Sequence, residues 1–109
     1  MKKMNFGVIT DSPSPRITYE LNKKFYDEAK RNFGKIYYIN LNNLIKGRLK
    51  KAPISELQLI SKIFQVYTPK NYNDLNKYLA KEKFILSVSL GREFKYFKIW
   101  YILKRRQHK

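Results

Sequence analysis

Residues 84–106, with the sequence FILSVSLGREFKYFKIWYILKRR, decide the fold of this chain of 109 residues. The first seven are apolar apart from two small serines, and none of them is charged. Such a run is typical of a strand that is covered on both faces, as in a parallel sheet. Gly91 allows the turn that ends the strand. A helix is predicted from Arg92 onward, and it ends with cations that suit the negative pole of the helix dipole.

The predicted C-terminal helix carries many aromatic rings. At about 100° per residue, one half of its circumference holds Phe94, Tyr96, Phe97, Trp100, Tyr101 and Leu103. The aromatic half of the helix has three interpretations. It packs in the core and at a domain interface, it contacts an anionic membrane surface, or its rings stack on the bases of single-stranded nucleic acid. A membrane or partner surface on this helix would use Lys95, Tyr96, Lys98, Trp100, Arg105 and Arg106.

Short apolar segments alternate with amphipathic ones along the rest of the chain. Strands are predicted at residues 5–10, 35–41 and 64–68, in addition to 84–90. Because helix-length segments separate them, consecutive strands should be parallel, with right-handed crossovers. We therefore predict a three-layer, Rossmann-like α/β domain of about four parallel strands, with the first and fourth strands adjacent. No strand is predicted after the last helix, so we expect an incomplete sheet.

Short sequence signals predict where the three helices before the last one begin and end. The first is predicted to begin after Thr18 and to end at Gly34. Its buried stripe would be Leu21, Phe25, Ala29 and Phe33. The second should start with a capping box made by Ser55 and Gln58. The third should be capped by Asn71 and should bury Tyr72, Leu75, Tyr78 and Leu79.

The charge balance is strongly cationic. Lys and Arg number 24 against 8 Asp and Glu, which gives a net charge of +16. Such a charge favours anionic partners: nucleic acid, acidic phospholipid or phosphorylated substrates. A solvated, lysine-rich surface is the alternative explanation of the same numbers.

The residue inventory excludes several classes of site. The sequence has no cysteine, so disulfides and thiolate metal sites are excluded. Its single histidine, His108, stands next to the last residue, so neither a metal site nor a cofactor is predicted. Residues 4–9 are too short an apolar stretch for a signal peptide, and no run is long enough to span a membrane. We expect a cytoplasmic location, with contact to the inner face of the membrane as a further expectation.

A candidate site follows from the predicted sheet. Ligands of doubly wound sheets bind beyond the carboxyl ends of the strands, where the strand order reverses. The residues that the topology places there are Asp11, Ser12, Ser14, Arg16, Ser89, Gly91 and Arg92. Asp11 is the candidate catalytic base or hydroxyl-binding group, and a turn-capping aspartate is the alternative. The two arginines would bind phosphate or be plain surface charges. Neither a G-x-G-x-x-G sequence nor a P-loop supports nucleotide binding of those types.

Three further stretches carry a family resemblance. They are residues 66–76, VYTPKNYNDLN, residues 90–99, LGREFKYFKI, and residues 101–104, YILK. They resemble the amino-terminal domain of bacterial surface-polysaccharide glycosyltransferases of the two-Rossmann-domain (GT-B) type. Residues 9–15, ITDSPSP, also fit the first strand and loop of that family.

The resemblance implies an acceptor-side domain. In that family this domain binds the sugar or lipid-linked acceptor, often at the inner membrane face, and a carboxyl-terminal domain holds the nucleotide-sugar donor. The chain departs from the family because it lacks that donor domain, so a missing domain or partner subunit would have to supply it. The resemblance implies that the acceptor is bound by the first loop, residues 11–16, and by the turn at Gly91 and Arg92. The alternative function is a small basic α/β nucleic-acid-binding module.

Overall fold

The computed structural model describes residues 5–12, 14–44, 53–81, 84–89 and 97–107. Strands and helices alternate along the chain, as the sequence predicts. The elements are β1 (Asn5–Thr10), α1 (Pro15–Leu21), α2 (Lys23–Phe33), β2 (Ile36–Asn40), α3 (Ile54–Ile60), β3 (Phe64–Tyr67), α4 (Tyr72–Lys81), β4 (Phe84–Ser89) and α5 (Phe97–Gln107).

The four strands form one parallel sheet in the order β3-β2-β1-β4. Val8 of β1 lies opposite Tyr38 of β2 on one side and opposite Ser87 of β4 on the other. This is the order of the first four strands of a doubly wound sheet, with β1 and β4 adjacent where the direction of winding reverses. The predicted Rossmann-like arrangement of four parallel strands is confirmed.

Alternate side chains of the strands pack into two cores, one on each face of the sheet. The core beneath α1, α2 and α3 consists of Phe6, Val8, Tyr26, Ala29, Ile36, Tyr38, Ile60 and Phe64. The core beneath α4 and α5 consists of Ile9, Ile39, Leu41, Leu44, Leu75, Leu79, Ile99 and Leu103. The domain therefore has three layers, with α1–α3 on one face of the sheet and α4–α5 on the other.

Strand β4 is less buried than its composition predicts. It is the last strand of the sheet beside β1, and Ile85 is 44% exposed. The residue that pairs with Ile85 on β1 is Phe6, whose ring packs against Phe25 and Phe33 and is buried. The helices that cover β1 on this face do not reach over β4. The prediction that this strand is covered on both faces is therefore wrong at Ile85.

The first helical segment begins four residues earlier than predicted and is divided in two. Pro15 occupies the start of α1, where its missing N–H breaks no helical hydrogen bond. Thr18 therefore lies inside the helix, and its hydroxyl donates to the carbonyl oxygen of Ser14 at 3.1 Å instead of capping. Asn22, with non-helical backbone angles, separates α1 from α2. Gly34 ends α2 as predicted, with a φ of 81°.

The break at Asn22 changes which side chains are buried. A stripe with a four-residue repeat needs one continuous helix, and the two segments do not share a face. Leu21 is 79% exposed and Phe25 is 53% exposed, whereas Tyr26 and Ala29 are buried. The predicted stripe is therefore confirmed at Ala29 and wrong at Leu21 and Phe25. Leu21 belongs to α1, and the buried side of α2 runs through Tyr26 and Ala29.

Of the N-caps predicted for α3 and α4, only that of α4 is confirmed. Helix α3 has Pro53 at its N-cap, and Ser55 lies inside the first turn, so the predicted capping box is wrong. Asn71 does cap α4, because its side-chain oxygen accepts a hydrogen bond of 2.8 Å from the backbone N–H of Asp74. Leu75 and Leu79 of α4 are buried as predicted.

Helix α5 packs on the sheet through aliphatic residues. Ile99 and Leu103 are fully buried, and Trp100 is partly buried. Phe97 and Tyr101 are 60% and 56% exposed. The aromatic half of this helix is therefore not simply core.

Candidate functional site

Buried polar side chains are concentrated at the carboxyl edge of the sheet. Within the described residues, those that are polar or charged and also buried are Thr10, Asp11, Asn40 and Asn42. All four lie at the ends of β1 and β2 or directly after them. Polar groups are costly to bury, and this edge is where parallel sheets bind ligands. It is therefore the candidate functional site.

Two asparagines connect the ends of three strands. The side-chain amide of Asn42 donates to the backbone oxygen of Asp11 at 2.9 Å. The side-chain oxygen of Asn40 accepts a hydrogen bond of 3.2 Å from the backbone N–H of Asn42. The amide nitrogen of Asn40 donates to the Thr68 hydroxyl, after β3, at 3.4 Å. This network fixes the backbone that carries Asp11.

The sequence offered one weak signal for this network. Asn40 and Asn42 flank Leu41 at the end of an apolar strand, where amide side chains often satisfy loop backbone groups. Nothing local indicated that they would bind Asp11 and Thr68. Asn42 and Asp11 are 31 residues apart in the sequence, and Asn40 and Thr68 are 28 residues apart.

The first loop forms its own hydrogen bonds. The backbone N–H of Ser12 donates to the Thr10 hydroxyl at 3.2 Å, and the backbone N–H of Ser14 donates to the Ser12 hydroxyl at 3.1 Å. The hydroxyls of Ser12 and Thr18 share a hydrogen bond of 3.0 Å. The loop is therefore ordered by its own small side chains before any ligand binds.

A carboxylate from α3 lies at the beginning of α1. Glu56 Oε1 accepts hydrogen bonds from the Ser14 hydroxyl at 3.2 Å and from the backbone N–H of Arg16 at 3.1 Å. A carboxylate at the start of a helix interacts favourably with the helix dipole. It also opposes the binding of a phosphate at the same place. Glu56 was not predicted as part of the site.

Arg16 lies on the surface in an ion pair. Its guanidinium is 3.2 Å from the Glu20 carboxylate, one turn further along α1, and both side chains are largely exposed. Exposed pairs of this kind contribute only about 0–1 kcal/mol to stability. Arg16 remains a predicted acceptor-binding residue, and binding a phosphate would require it to leave Glu20.

The sheet brings the first loop beside the end of β4. Thr10 pairs in register with Ser89, so Asp11, Ser12 and Ser14 follow a strand that ends next to Ser89. The ends of β1 and β4 are therefore adjacent, and the juxtaposition of the first loop with Gly91 and Arg92 stays a prediction. Arg105 and Arg106 belong to α5. The candidate residues that lie outside the described ranges are Gly91, Arg92, Lys95 and Tyr96.

Tyr38 lies inside the core on the α1–α3 face of the sheet. Its hydroxyl is buried and has no hydrogen-bond partner among the described residues. Burial raises the pKa of this hydroxyl well above its ordinary value, and the nearby Tyr26, Glu56 and Asp11 raise it further. Loss of the Tyr38 proton is therefore disfavoured at this position.

The described residues contain no group of three or more His, Asp or Glu side chains that could hold a metal ion. In the same residues, no helix has the length and apolar character needed to cross a bilayer. Neither a known protein family, a curated protein nor a solved structure matches this chain.

Proposed function

We propose that this chain is the acceptor-side domain of a glycosyltransferase in cell-surface polysaccharide biosynthesis, working at the inner face of the membrane. The main support is the buried polar edge beside the β1–β4 junction, where Asp11 follows β1 on a backbone that Asn42 holds. The resemblance in the first loop, in residues 66–76 and in the last helix supports the same function. The donor half would come from another domain or from a partner subunit.

The chemistry of this edge suits sugar hydroxyls better than phosphate. Carboxylate, amide and hydroxyl groups all form hydrogen bonds with hydroxyls. The Glu56 carboxylate at the start of α1 disfavours an anion there. In this proposal Asp11 accepts a proton or a hydrogen bond from the acceptor hydroxyl, and Ser12 and Ser14 line the same loop. In the same proposal the acceptor phosphate is bound by the guanidinium groups of Arg92 and of Arg16, which has to leave Glu20 to do so.

Binding of the acceptor tests the proposal. Isothermal titration with a short-chain polyprenyl-phosphate sugar should give saturable binding, whereas a nucleotide sugar should give none. Asp11→Asn should weaken acceptor binding by about 10-fold or more, since a hydrogen bond to a charged group contributes about 1.5–3 kcal/mol. The matched control is Asp27→Asn, because that carboxylate lies on the surface of α2 in a pair with Lys23.

The circular dichroism spectrum of the Asp11→Asn variant should match that of the wild type, so that a loss of binding is not a loss of fold. Sugar transfer can then be assayed with the donor half supplied by the adjoining genes. Unimpaired binding and transfer in Asp11→Asn would remove Asp11 from this role.

A nucleic-acid-binding module is the second candidate, and the net charge of +16 favours it. Affinity for a single-stranded oligonucleotide should then fall steeply with salt, because binding releases counterions from the phosphates. A filter-binding assay at low and at moderate salt measures this dependence. Absence of binding at low salt would exclude this function.

A further inference from the structure

Charge is distributed unevenly between the two helical layers. Helices α1, α2 and α3 carry five Lys and Arg against four Asp and Glu, a net charge of +1. Helices α4 and α5 carry six against one, a net charge of +5. The ion pairs Arg16–Glu20, Lys23–Asp27 and Arg31–Glu28 lie in α1 and α2. The α4–α5 layer therefore presents most of the positive field of the described helices.

The outer surface of the α4–α5 layer combines this charge with exposed rings. Phe97 and Tyr101 are one helical turn apart on α5 and are both mostly exposed, while Ile99 and Leu103 on the opposite side are buried against the sheet. Lys98 and Lys104 are exposed on the same helix. The Lys98 ammonium lies 5.2 Å from the centre of the Tyr72 ring, which joins this surface to α4.

We propose that the outward surface of α4 and α5, formed by Lys77, Lys81, Phe97, Lys98, Tyr101 and Lys104, docks on a membrane that contains anionic phospholipid. Helices that lie in the membrane interface combine rings that enter the headgroup region with lysines that meet anionic lipid. The inference deepens the membrane location in the proposed function, and it does not rest on the acceptor site, which lies at the carboxyl edge of the sheet.

The placement of the rings favours lipid over nucleic acid. Proteins that stack on single strands hold their rings along a basic groove that follows the phosphate backbone. Here the rings stand on the outward side of a helix whose inner side is fixed to the sheet by Ile99 and Leu103. Phe97 has no polar atom on its ring, so its exposed area is better matched by acyl chains and headgroup boundaries than by water.

Sedimentation with vesicles tests the docking surface. Vesicles of phosphatidylcholine alone are compared with vesicles that also contain phosphatidylglycerol. The wild type should bind only the anionic vesicles, and its single tryptophan, Trp100 on α5, should shift its emission to the blue. The double variant Lys98→Gln with Lys104→Gln should bind about 25-fold more weakly, because each lysine near an anionic surface contributes about a factor of five.

A matched double variant lies outside the α4–α5 layer. Lys24→Gln with Lys35→Gln removes the same charge from exposed positions of α2 and the following turn. The affinity of this variant for anionic vesicles should fall by no more than about 3-fold, because charges more than about 10 Å from the lipid are largely screened. Phe97→Ser with Tyr101→Ser should abolish the blue shift, whereas Leu21→Ser on α1 should not.

Three results would overturn the inference. The first is that the wild type does not bind anionic vesicles. The second is that the two lysine double variants lose the same amount of affinity for these vesicles. The third is that the protein binds a single-stranded oligonucleotide instead of vesicles, and that this binding depends on the α5 lysines. The vesicles contain no acceptor, so none of these results bears on Asp11 or on the acceptor site. Absence of binding to anionic vesicles would, however, remove the inner face of the membrane from the proposed function.

Discussion

The backbone N–H of Arg16 donates a hydrogen bond of 3.1 Å to the carboxylate of Glu56, which lies 40 residues further along the chain. The same carboxylate oxygen accepts the Ser14 hydroxyl at 3.2 Å. Helix α3 therefore supplies the cap of α1, and the first loop is held by the segment between β2 and β3. The geometry of the candidate site thus depends on contacts between α1 and α3.

Removing this carboxylate should destabilise the fold. Glu56→Ala leaves the first turn of α1 without its acceptor, so we expect a loss of about 1 kcal/mol in the free energy of unfolding, as for other helix caps. Glu28→Ala on α2 is the control, because its pair with Arg31 is exposed and 3.6 Å long. That variant should stay within about 0.5 kcal/mol of the wild type in urea unfolding. Equal losses in the two variants would contradict the capping role.

The Tyr38 hydroxyl, which has no partner among the described residues, should contribute little to stability. A buried hydroxyl without a partner costs free energy, so Tyr38→Phe should be neutral or stabilising by up to about 1 kcal/mol. Tyr72→Phe is the comparison, because that hydroxyl donates to the Leu44 oxygen at 3.1 Å, and its loss should cost about 0.5–1.5 kcal/mol. A Tyr38→Phe variant less stable than Tyr72→Phe would show that the Tyr38 hydroxyl has a bonding partner.

Stability should fall in alkaline solution. Burial raises the folded-state pKa of Tyr38, and also that of Tyr26, above the ordinary tyrosine value of 10.0. Above about pH 10 the unfolded chain loses these protons first, so each such tyrosine lowers stability by up to about 1.4 kcal/mol per pH unit. Unfolding measured from pH 8 upward should show a shallower decline in Tyr38→Phe. Identical slopes in both proteins would contradict the raised pKa.

The Asn42 side chain should be needed for the candidate site to keep its shape. Asn42→Ala leaves the buried carbonyl of Asp11 without this donor, and we expect a loss of about 1–3 kcal/mol in the free energy of unfolding. Asn73→Ala, on the exposed side of α4, should stay within about 0.5 kcal/mol of the wild type. If the two variants were equally stable, the network would not hold the loop.

Sequence patterns predicted the sheet well because its determinants are local. Apolar runs between polar or proline residues marked all four strands to within one residue at each end. The alternation with helices then fixed the parallel direction and the adjacency of β1 and β4. The Asn71 cap was also predictable, because its partner is three residues away.

The remaining features depend on contacts that sequence spacing does not contain. The Glu56 cap joins residues 40 positions apart, and the Asn42 bond to Asp11 joins residues 31 apart. In α5 both an aromatic and an aliphatic stripe are apolar, so periodicity alone could not decide which one faces the sheet. The structure places Ile99 and Leu103 inward.

The orientation of α5 gives a further prediction. Ile99→Ala should cost about 2–5 kcal/mol, because it leaves a cavity in the core beneath α4 and α5. Phe97→Ala removes a larger side chain from an exposed position and should change stability by no more than about 0.5 kcal/mol. Urea unfolding of the two variants distinguishes them, and a larger loss in Phe97→Ala would mean that the rings face the sheet.

Ligand binding at the carboxyl edge of the sheet is tested most directly by the backbone amide resonances of the ¹⁵N-labelled protein. A water-soluble, short-chain polyprenyl-phosphate sugar is titrated into the wild type. Saturable shifts should appear at Asp11, Ser12, Ser14 and Asn42, which the β1–β4 junction and the asparagine network bring together. Shifts confined to the opposite edge of the sheet, around Gly34, or no shifts at saturating acceptor, would contradict the acceptor site.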